Sequence, residues 1–160
     1  MLILPMTREA ALHISRWRYE APYALYSFEE SEETLCELLG GGYYAALGDD
    51  ETPQGYFCFG DAARIPVCEQ GAYDEPLCDV GLGMAPTRCG RGLGEDFVRL
   101  GAEFARAELG AHDLRLSVAA FNERAICTYR RAGFSVLCTV THRRSGLPFY
   151  IMVRPEMRQK

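Results

Sequence analysis

The feature that most constrains this chain is a glycine-rich segment, residues 79–94, which reads Asp-Val-Gly-Leu-Gly-Met-Ala-Pro-Thr-Arg-Cys-Gly-Arg-Gly-Leu-Gly. Its first half alternates apolar residues with aspartate or glycine, which predicts a strand from Cys78 to Ala85. Its second half predicts a tight turn and then a helix that begins near Gly92. Because a helix N-terminus leaves backbone N–H groups without partners, this segment predicts a cradle for an anion such as a phosphate.

Two glycines of the predicted strand, Gly81 and Gly83, lie on the same face as Asp79. Glycine inside a strand costs stability and often marks a place where another group approaches the backbone closely. We therefore expect a narrow, extended ligand to pass along this face.

A second informative segment, residues 121–134, reads Phe-Asn-Glu-Arg-Ala-Ile-Cys-Thr-Tyr-Arg-Arg-Ala-Gly-Phe. It predicts an amphipathic helix with Asn122 at its start, Tyr129 two turns along and Gly133 just past its end. One short, well-capped helix would thus present a carboxamide and a phenol.

The two segments resemble motifs A and B of the GNAT superfamily of acyl-CoA-dependent N-acyltransferases. In that family a Gln/Arg-x-x-Gly-x-Gly/Ala loop holds the pyrophosphate of acetyl-CoA, and the loop of this chain runs from Cys89 to Gly94. Cysteine stands here where the family has arginine or glutamine, and Arg88 lies one place early. Motif B is matched from Asn122 to Phe134 without a gap.

The resemblance implies acetyl-CoA as the acyl donor and a set of donor-binding residues. It also implies that Tyr129 is the general acid for the departing thiolate and that a backbone N–H of the Gly83–Met84 region stabilises the oxyanion. The implied donor-binding residues are Leu82, Gly83, Met84, Cys89, Gly90, Arg91, Gly92, Leu93, Gly94, Asn122 and Tyr129.

The catalytic base is less well defined by the sequence. An alkyl amine is mostly protonated at neutral pH, so acetyl transfer to it needs a base or a water relay. GNAT enzymes that acetylate protein N-termini often have a glutamate five residues before the asparagine of motif B, whereas this chain has Ser117. Asp79 is the first candidate for a water-mediated base and Glu20 the second. For each, an ordinary hydrogen-bonded or surface carboxylate is the alternative.

Residues 17–26 concentrate aromatic side chains and one carboxylate, and they predict an acceptor pocket formed by Trp17, Glu20 and Tyr23. Aromatic faces and a carboxylate suit a cationic amine. In the alternative interpretation, Trp17 continues the apolar stripe of a helix that begins at Thr7 and simply fills the core.

The predicted order of elements, β-α-α-β-β-β-α-β-α-β-β, is the GNAT order. The resemblance therefore implies an α/β GNAT fold, with a mixed central β-sheet flanked by helices, as a single domain over residues 1–160. Ser27 has the spacing of a capping residue for the second helix. Residues 61–77 predict a long irregular loop, either functional or an ordinary surface excursion.

The composition and charge of the chain argue against several classes of partner. The net charge of −5 argues against a nucleic-acid partner. No run of eighteen apolar residues and no signal peptide is found, which predicts a cytoplasmic protein without a membrane partner. The seven cysteines lack ligand spacing, which predicts reduced thiols and no metal site. A homodimer is left open.

Three functional classes follow from these patterns. The first is an N-acetyltransferase that moves the acetyl group of acetyl-CoA to a primary amine of a small molecule or a protein. The second is an acetyl-CoA-binding module, a sensor or buffer, that has no turnover. The third, a dinucleotide-binding oxidoreductase, fails because the glycine spacing at Gly90, Gly92 and Gly94 is not Gly-x-Gly-x-x-Gly.

Overall fold

A computed structural model describes residues 1–156 of the chain. The predicted order of strands and helices is observed throughout this part. None of the helices within residues 1–156 is long and apolar enough to cross a lipid bilayer. The elements are β1 (Leu2–Pro5), α1 (Arg8–Ser15), α2 (Glu32–Leu38), β2 (Tyr43–Leu47), β3 (Pro53–Phe59), β4 (Cys78–Met84), α3 (Gly94–Leu109), β5 (Leu114–Ala119), α4 (Glu123–Arg131), β6 (Ser135–Thr141) and β7 (Pro148–Arg154).

The seven strands form one mixed sheet in the order β1-β2-β3-β4-β5-β7-β6. β4 pairs in parallel with β5, with Cys78 opposite Leu114 and Asp79 opposite Arg115. The β1–β2, β2–β3, β5–β7 and β6–β7 pairs are antiparallel. The prediction of a mixed sheet flanked by helices is thus confirmed.

Side-chain caps fix the starts of three helices. The side-chain oxygens of Thr7, Ser31 and Asn122 accept hydrogen bonds from the backbone N–H groups three residues ahead, at α1, α2 and α4. The prediction that Ser27 caps the second helix is wrong, because the Ser27 hydroxyl accepts a hydrogen bond from the backbone N–H of Tyr19 instead. A short 3₁₀ turn at Ala24–Tyr26 precedes α2.

Two other helix boundaries differ from prediction. α3 begins at Gly94 and not near Gly92, since Gly90 and Gly92 have φ values of +72° and +74°. This left-handed conformation cannot continue into an α-helix. The second difference is at α1, which ends at Ser15. Trp17 therefore lies beyond the helix, although the apolar stripe predicted that it belongs to it.

The chain divides into two compact units. The first comprises residues 1–58 and 82–93, and the second begins with residues 59–81 and continues from residue 94. In the first unit a core forms around Ile14, Trp17 and Ala85. The assignment of residues 1–160 to a single domain stays a prediction.

A buried phenol links α2 to β2 in the first unit. The Tyr43 hydroxyl donates a hydrogen bond of 2.8 Å to the carboxylate of Glu37. Burial raises the pKa of Tyr43, and the nearby Cys58 and Glu37 raise it further. The folded protein therefore keeps this proton to a higher pH than the unfolded chain does.

This difference predicts a decline of stability in alkali. Because an unfolded tyrosine ionises near a pH of about 10, the free energy of unfolding should fall as the pH rises above that value. Tyr43→Phe removes the titrating group and should make the decline shallower. Urea titrations at a series of pH values between about 8 and 11 measure both slopes, and equal slopes would contradict the prediction.

Candidate active site

The glycine-rich turn after β4 presents backbone N–H groups. A 3₁₀ turn at Pro86–Arg88 is followed by the left-handed Gly90 and Gly92, and α3 begins two residues later. Among residues 1–156, the N–H groups of residues 91–94 make no hydrogen bond to another protein group. Such donors at the start of a long helix fit an anionic ligand.

The base of this turn is fastened to β3. The Ala85 N–H donates to the Gln54 carbonyl at 2.9 Å, and the Arg88 guanidinium donates to the Gln54 side-chain oxygen at 3.2 Å. Arg88, one place before the family's Arg or Gln position, thus has a structural partner within the first unit.

Cys89, at the family's Arg or Gln position, is half-buried and points back into the turn. Its sulfur lies 3.6 Å from the Ala85 carbonyl oxygen and 3.8 Å from that of Met84. A thiol is a weak donor, so these contacts stabilise the turn modestly.

The close approach expected at the glycine face of β4 is made by a protein side chain at Gly83. A Cβ atom built there would meet the ring of Tyr56. The neighbouring Leu82 and Met84 are half-buried. Gly83 is therefore required for packing, whatever else approaches its main chain.

The residues expected to form the acceptor pocket have different environments. Trp17 is only 9% exposed and packs with Ile14 and Ala85, so the structure supports the core-filling interpretation. Glu20 is exposed and Tyr23 is half-buried, on the segment that leads into the Ala24–Tyr26 turn. Trp17 thus belongs to the core, whereas an acceptor-binding role for Glu20 and Tyr23 stays a prediction.

In the second unit, α4 has the ends that motif B predicts. The buried Asn122 caps the helix by accepting from the Ala125 N–H at 3.2 Å, and Gly133 follows its last turn with φ +96°. Tyr129 is half-buried and lies edge-on to the ring of Phe134, with 6.1 Å between centroids.

The last glycine of motif A serves helix packing. A Cβ atom at Gly94 would lie 2.9 Å from the Cγ2 atom of Thr128, closer than real Cβ atoms come to other atoms. Glycine at this position therefore allows the N-terminus of α3 to approach α4 closely.

Asp79 is buried and paired, and this geometry is unfavourable to its predicted role as a base. Its carboxylate accepts hydrogen bonds of 2.6 and 2.9 Å from Arg115 and of 2.8 Å from Arg64. Asp79 is 2% exposed and Arg115 is 1% exposed. Hydrogen bonds to Asp79 raise the pKa of both arginines. The geometry places Asp79 in an ion-pair cluster, and its role as a base stays a prediction.

Tyr73 joins this cluster and was not predicted from the sequence. Its hydroxyl lies 2.9 Å from the Ser117 hydroxyl, and the guanidinium groups of Arg64 and Arg115 lie 5.2 and 4.9 Å from its ring centroid. No sequence signal links Tyr73 to Ser117. The irregular loop over residues 61–77 is thus packed onto β4 and β5 by cation–π contacts and hydrogen bonds.

Comparison with known proteins identifies the family. A family model described as the Acetyltransferase (GNAT) family matches residues 9–134. The chain belongs to this family. The match includes both the glycine-rich turn and α4, so the GNAT resemblance inferred from the two motifs is confirmed.

One curated relative of this GNAT chain is the streptothricin acetyltransferase of Streptomyces lavendulae, 38% identical over 76 residues. That alignment covers 48% of this chain and 40% of the relative. The chain therefore matches less than half the length of that curated protein.

Solved structures agree with the GNAT fold. A spermidine N-acetyltransferase chimera of SpeG from Vibrio cholerae and hSSAT superimposes with a TM-score of 0.72 at 16% identity, covering 96% of this chain and 95% of that one. AAC(6')-Ib in complex with ribostamycin and coenzyme A gives a TM-score of 0.72 at 19% identity, covering 99% and 97%. At these identities the likeness establishes the fold.

The Asp79 cluster predicts a large stability difference between two aspartates that share a partner. Asp79→Asn removes the charge between two guanidinium groups, one of them buried, and should lower the free energy of unfolding by about 3–5 kcal/mol. Asp61 pairs with the same Arg64 at 3.1 Å but is 93% exposed. Asp61→Asn should therefore cost less than about 1 kcal/mol. Urea denaturation of both variants measures the difference, and similar losses would show that Asp79 does not hold a buried charge pair.

Proposed function

We propose that this chain is an acetyl-CoA-dependent N-acetyltransferase that acetylates a primary amine of a small, positively charged molecule. The observation that carries the proposal is the left-handed turn at Gly90 and Gly92, after which the N–H groups leading into α3 have no hydrogen-bond partner among residues 1–156. Membership of the GNAT acetyltransferase family supports the same reaction class. A cytoplasmic location and a homodimer stay predictions from the sequence.

The donor-binding part of the proposal follows from the turn. The N–H groups from Arg91 to Gly94 would bind the pyrophosphate of acetyl-CoA, aided by the positive end of the α3 dipole. Leu82, Gly83 and Met84 would take part through their main chain, and Asn122 through the α4 N-terminus that it caps. Cys89 would act by stabilising the turn, since its sulfur faces protein carbonyls.

The chemistry requires four roles. Acetyl-CoA supplies an acetyl thioester, whose C–S bond breaks as the C–N bond to the amine forms. The Met84 N–H would stabilise negative charge on the carbonyl oxygen, and Tyr129 would protonate the departing thiolate. The amine must lose a proton to a base or to water. Glu20 remains the candidate base on this chain, because its carboxylate is exposed whereas that of Asp79 is buried between arginines.

A cationic amine suits the acceptor side. Glu20 offers a carboxylate and Tyr23 an aromatic ring three residues further along the chain. Two relatives are named for streptothricin and spermidine acetylation. Spermidine carries several positive charges at neutral pH, and a carboxylate with an aromatic face recognises such charges. We therefore propose small polyamines and amino-sugar amines as the acceptor class.

The proposal predicts that the chain consumes acetyl-CoA and that this activity depends on the glycine-rich turn. Acetyl-CoA should be consumed with at least one member of a panel of polyamines and aminoglycosides, measured by release of free CoA thiol. Gly92→Val should greatly weaken CoA binding in calorimetry, because a β-branched residue is strained at φ +74°.

Gly146→Val is the matched control for the turn variant. Gly146 has φ +71° with nothing within 4 Å of an added Cβ, and it lies in the β6–β7 turn. This variant should be similarly strained but should bind CoA normally. Equal CoA affinity for Gly92→Val and the wild type would overturn the turn assignment. CoA binding without turnover on any amine, protein amines included, would favour the non-catalytic module.

Tyr129 as general acid predicts a specific kinetic loss. Tyr129→Phe keeps the ring contact with Phe134 but removes the proton donor, so kcat should fall roughly 10²–10⁴-fold with little change in the KM for acetyl-CoA. Tyr150→Phe, on β7, removes another half-buried phenol hydroxyl and should leave kcat unchanged. Steady-state kinetics compare the two, and an unchanged kcat in Tyr129→Phe, with acetyl transfer itself rate-limiting, would exclude the acid role.

A further inference from the structure

Residues 20–26 form a small, mostly exposed loop, here called the acceptor segment, whose base is closed by hydrogen bonds. The Tyr19 N–H donates to the Ser27 hydroxyl at 2.9 Å, which joins the two ends of the segment. The Arg18 guanidinium donates to the carbonyls of Trp17 and Phe28 at 2.8 and 3.1 Å. The ends are thus fixed, while Glu20 at the start of the segment stays exposed.

Tyr19 connects this closed base to a distant part of the chain. Its hydroxyl donates a hydrogen bond of 2.6 Å to the main-chain carbonyl of Met84, 65 positions away in sequence. Burial raises the pKa of Tyr19, and Cys89 raises it further, so the phenol keeps its proton and remains a donor at physiological pH. The contact is therefore present under the conditions in which the enzyme would work.

The Met84 carbonyl lies where β4 ends and the glycine-rich turn begins. The sulfur of the Cys89 thiol also lies 3.8 Å from this carbonyl oxygen. The N–H of the same peptide group, that of Ala85, donates a hydrogen bond to the Gln54 carbonyl. The Tyr19 hydroxyl thus bonds to the peptide group between Met84 and Ala85, where the glycine-rich turn begins.

We infer that Tyr19 is a positioning residue for acetyl transfer, whose hydroxyl holds the acceptor segment in a fixed place relative to the end of β4. The inference rests on the proposed function, since it assumes that Glu20 and Tyr23 contact the amine and that Met84 contacts the acetyl group. Tyr19 itself need touch neither substrate. Its hydroxyl contacts Met84, and its main chain bonds to Ser27 and continues directly into Glu20.

This role predicts an effect on the amine more than on acetyl-CoA. Loss of the hydroxyl frees the acceptor segment, so the KM for the amine should rise about three- to tenfold, the loss expected for one neutral hydrogen bond. The turn stays fastened to Gln54 through Ala85 and Arg88, so the affinity for CoA should change by less than about twofold.

The experiment uses Tyr19→Phe with Tyr43→Phe as its matched control. Both variants remove a phenol hydroxyl that donates to a protein acceptor, but that of Tyr43 bonds to Glu37, whereas that of Tyr19 bonds to Met84. Hydrogen exchange of peptides covering residues 19–27 is measured on the free proteins by mass spectrometry. Kinetics with the best amine of the panel and calorimetry with CoA follow.

In Tyr19→Phe we expect faster exchange in residues 19–27, a raised amine KM and normal CoA affinity, while Tyr43→Phe resembles the wild type in all three. Glu20→Gln should raise the amine KM without changing exchange, because it alters the contact and not the position of the segment.

Two outcomes would overturn the inference while the proposed function stands. The first is unchanged exchange in Tyr19→Phe, and the second is faster exchange with an unchanged amine KM. If the wild type acetylates no amine, the proposed function fails by itself. The exchange comparison then still decides whether Tyr19 holds the segment, and equal exchange in the two tyrosine variants would exclude it.

Discussion

Two guanidinium groups converge on one buried carboxylate, that of Asp79, at the position where β4 pairs with β5. Removing the charges of Asp79 and Arg115 from water is costly, and the cost is offset because both carboxylate oxygens accept charge-assisted hydrogen bonds. Arg115 also donates to the Glu75 carbonyl, and Arg64 extends the cluster to the loop before β4. The start of β4, its partner strand and a long irregular loop are therefore held by the same set of charges.

From this anchored start, β4 leads to the turn on which the proposed chemistry depends. The strand ends at Met84, and the chain then needs two left-handed residues, Gly90 and Gly92, before it can enter α3. This conformation exposes successive N–H groups at a helix start, where the helix dipole favours negative charge. Gly94 then lets α3 pack closely against Thr128 of α4. The glycines of the motif thus have distinct physical roles, conformation at two positions and packing at another.

The elements were largely predictable because their signals are local. Alternating apolar residues marked β4, and Asn122 and Gly133 marked the two ends of α4. The errors arose where a local signal had two solutions. Ser27 has a glutamate three residues later, as in a capping box, but its hydroxyl accepts a hydrogen bond from the Tyr19 N–H, and Ser31 caps α2 by accepting from the Thr34 N–H. Trp17 fitted the helical stripe, but α1 ends before it.

The sequence by itself determined the family and the order of strands and helices, and it predicted an anion site at the turn, since each depends on residues close together in the chain. Only the tertiary structure decided the roles of individual polar side chains. Asp79 looks the same in sequence whether it is a base or an ion-pair partner, and its partner Arg115 is 36 positions away. The same holds for Tyr73 with Ser117, 44 positions apart, and for Tyr19 with Met84, 65 apart. A side chain's charge state and availability depend on burial and on its neighbours in space, and residues so distant in sequence become neighbours only when the chain folds.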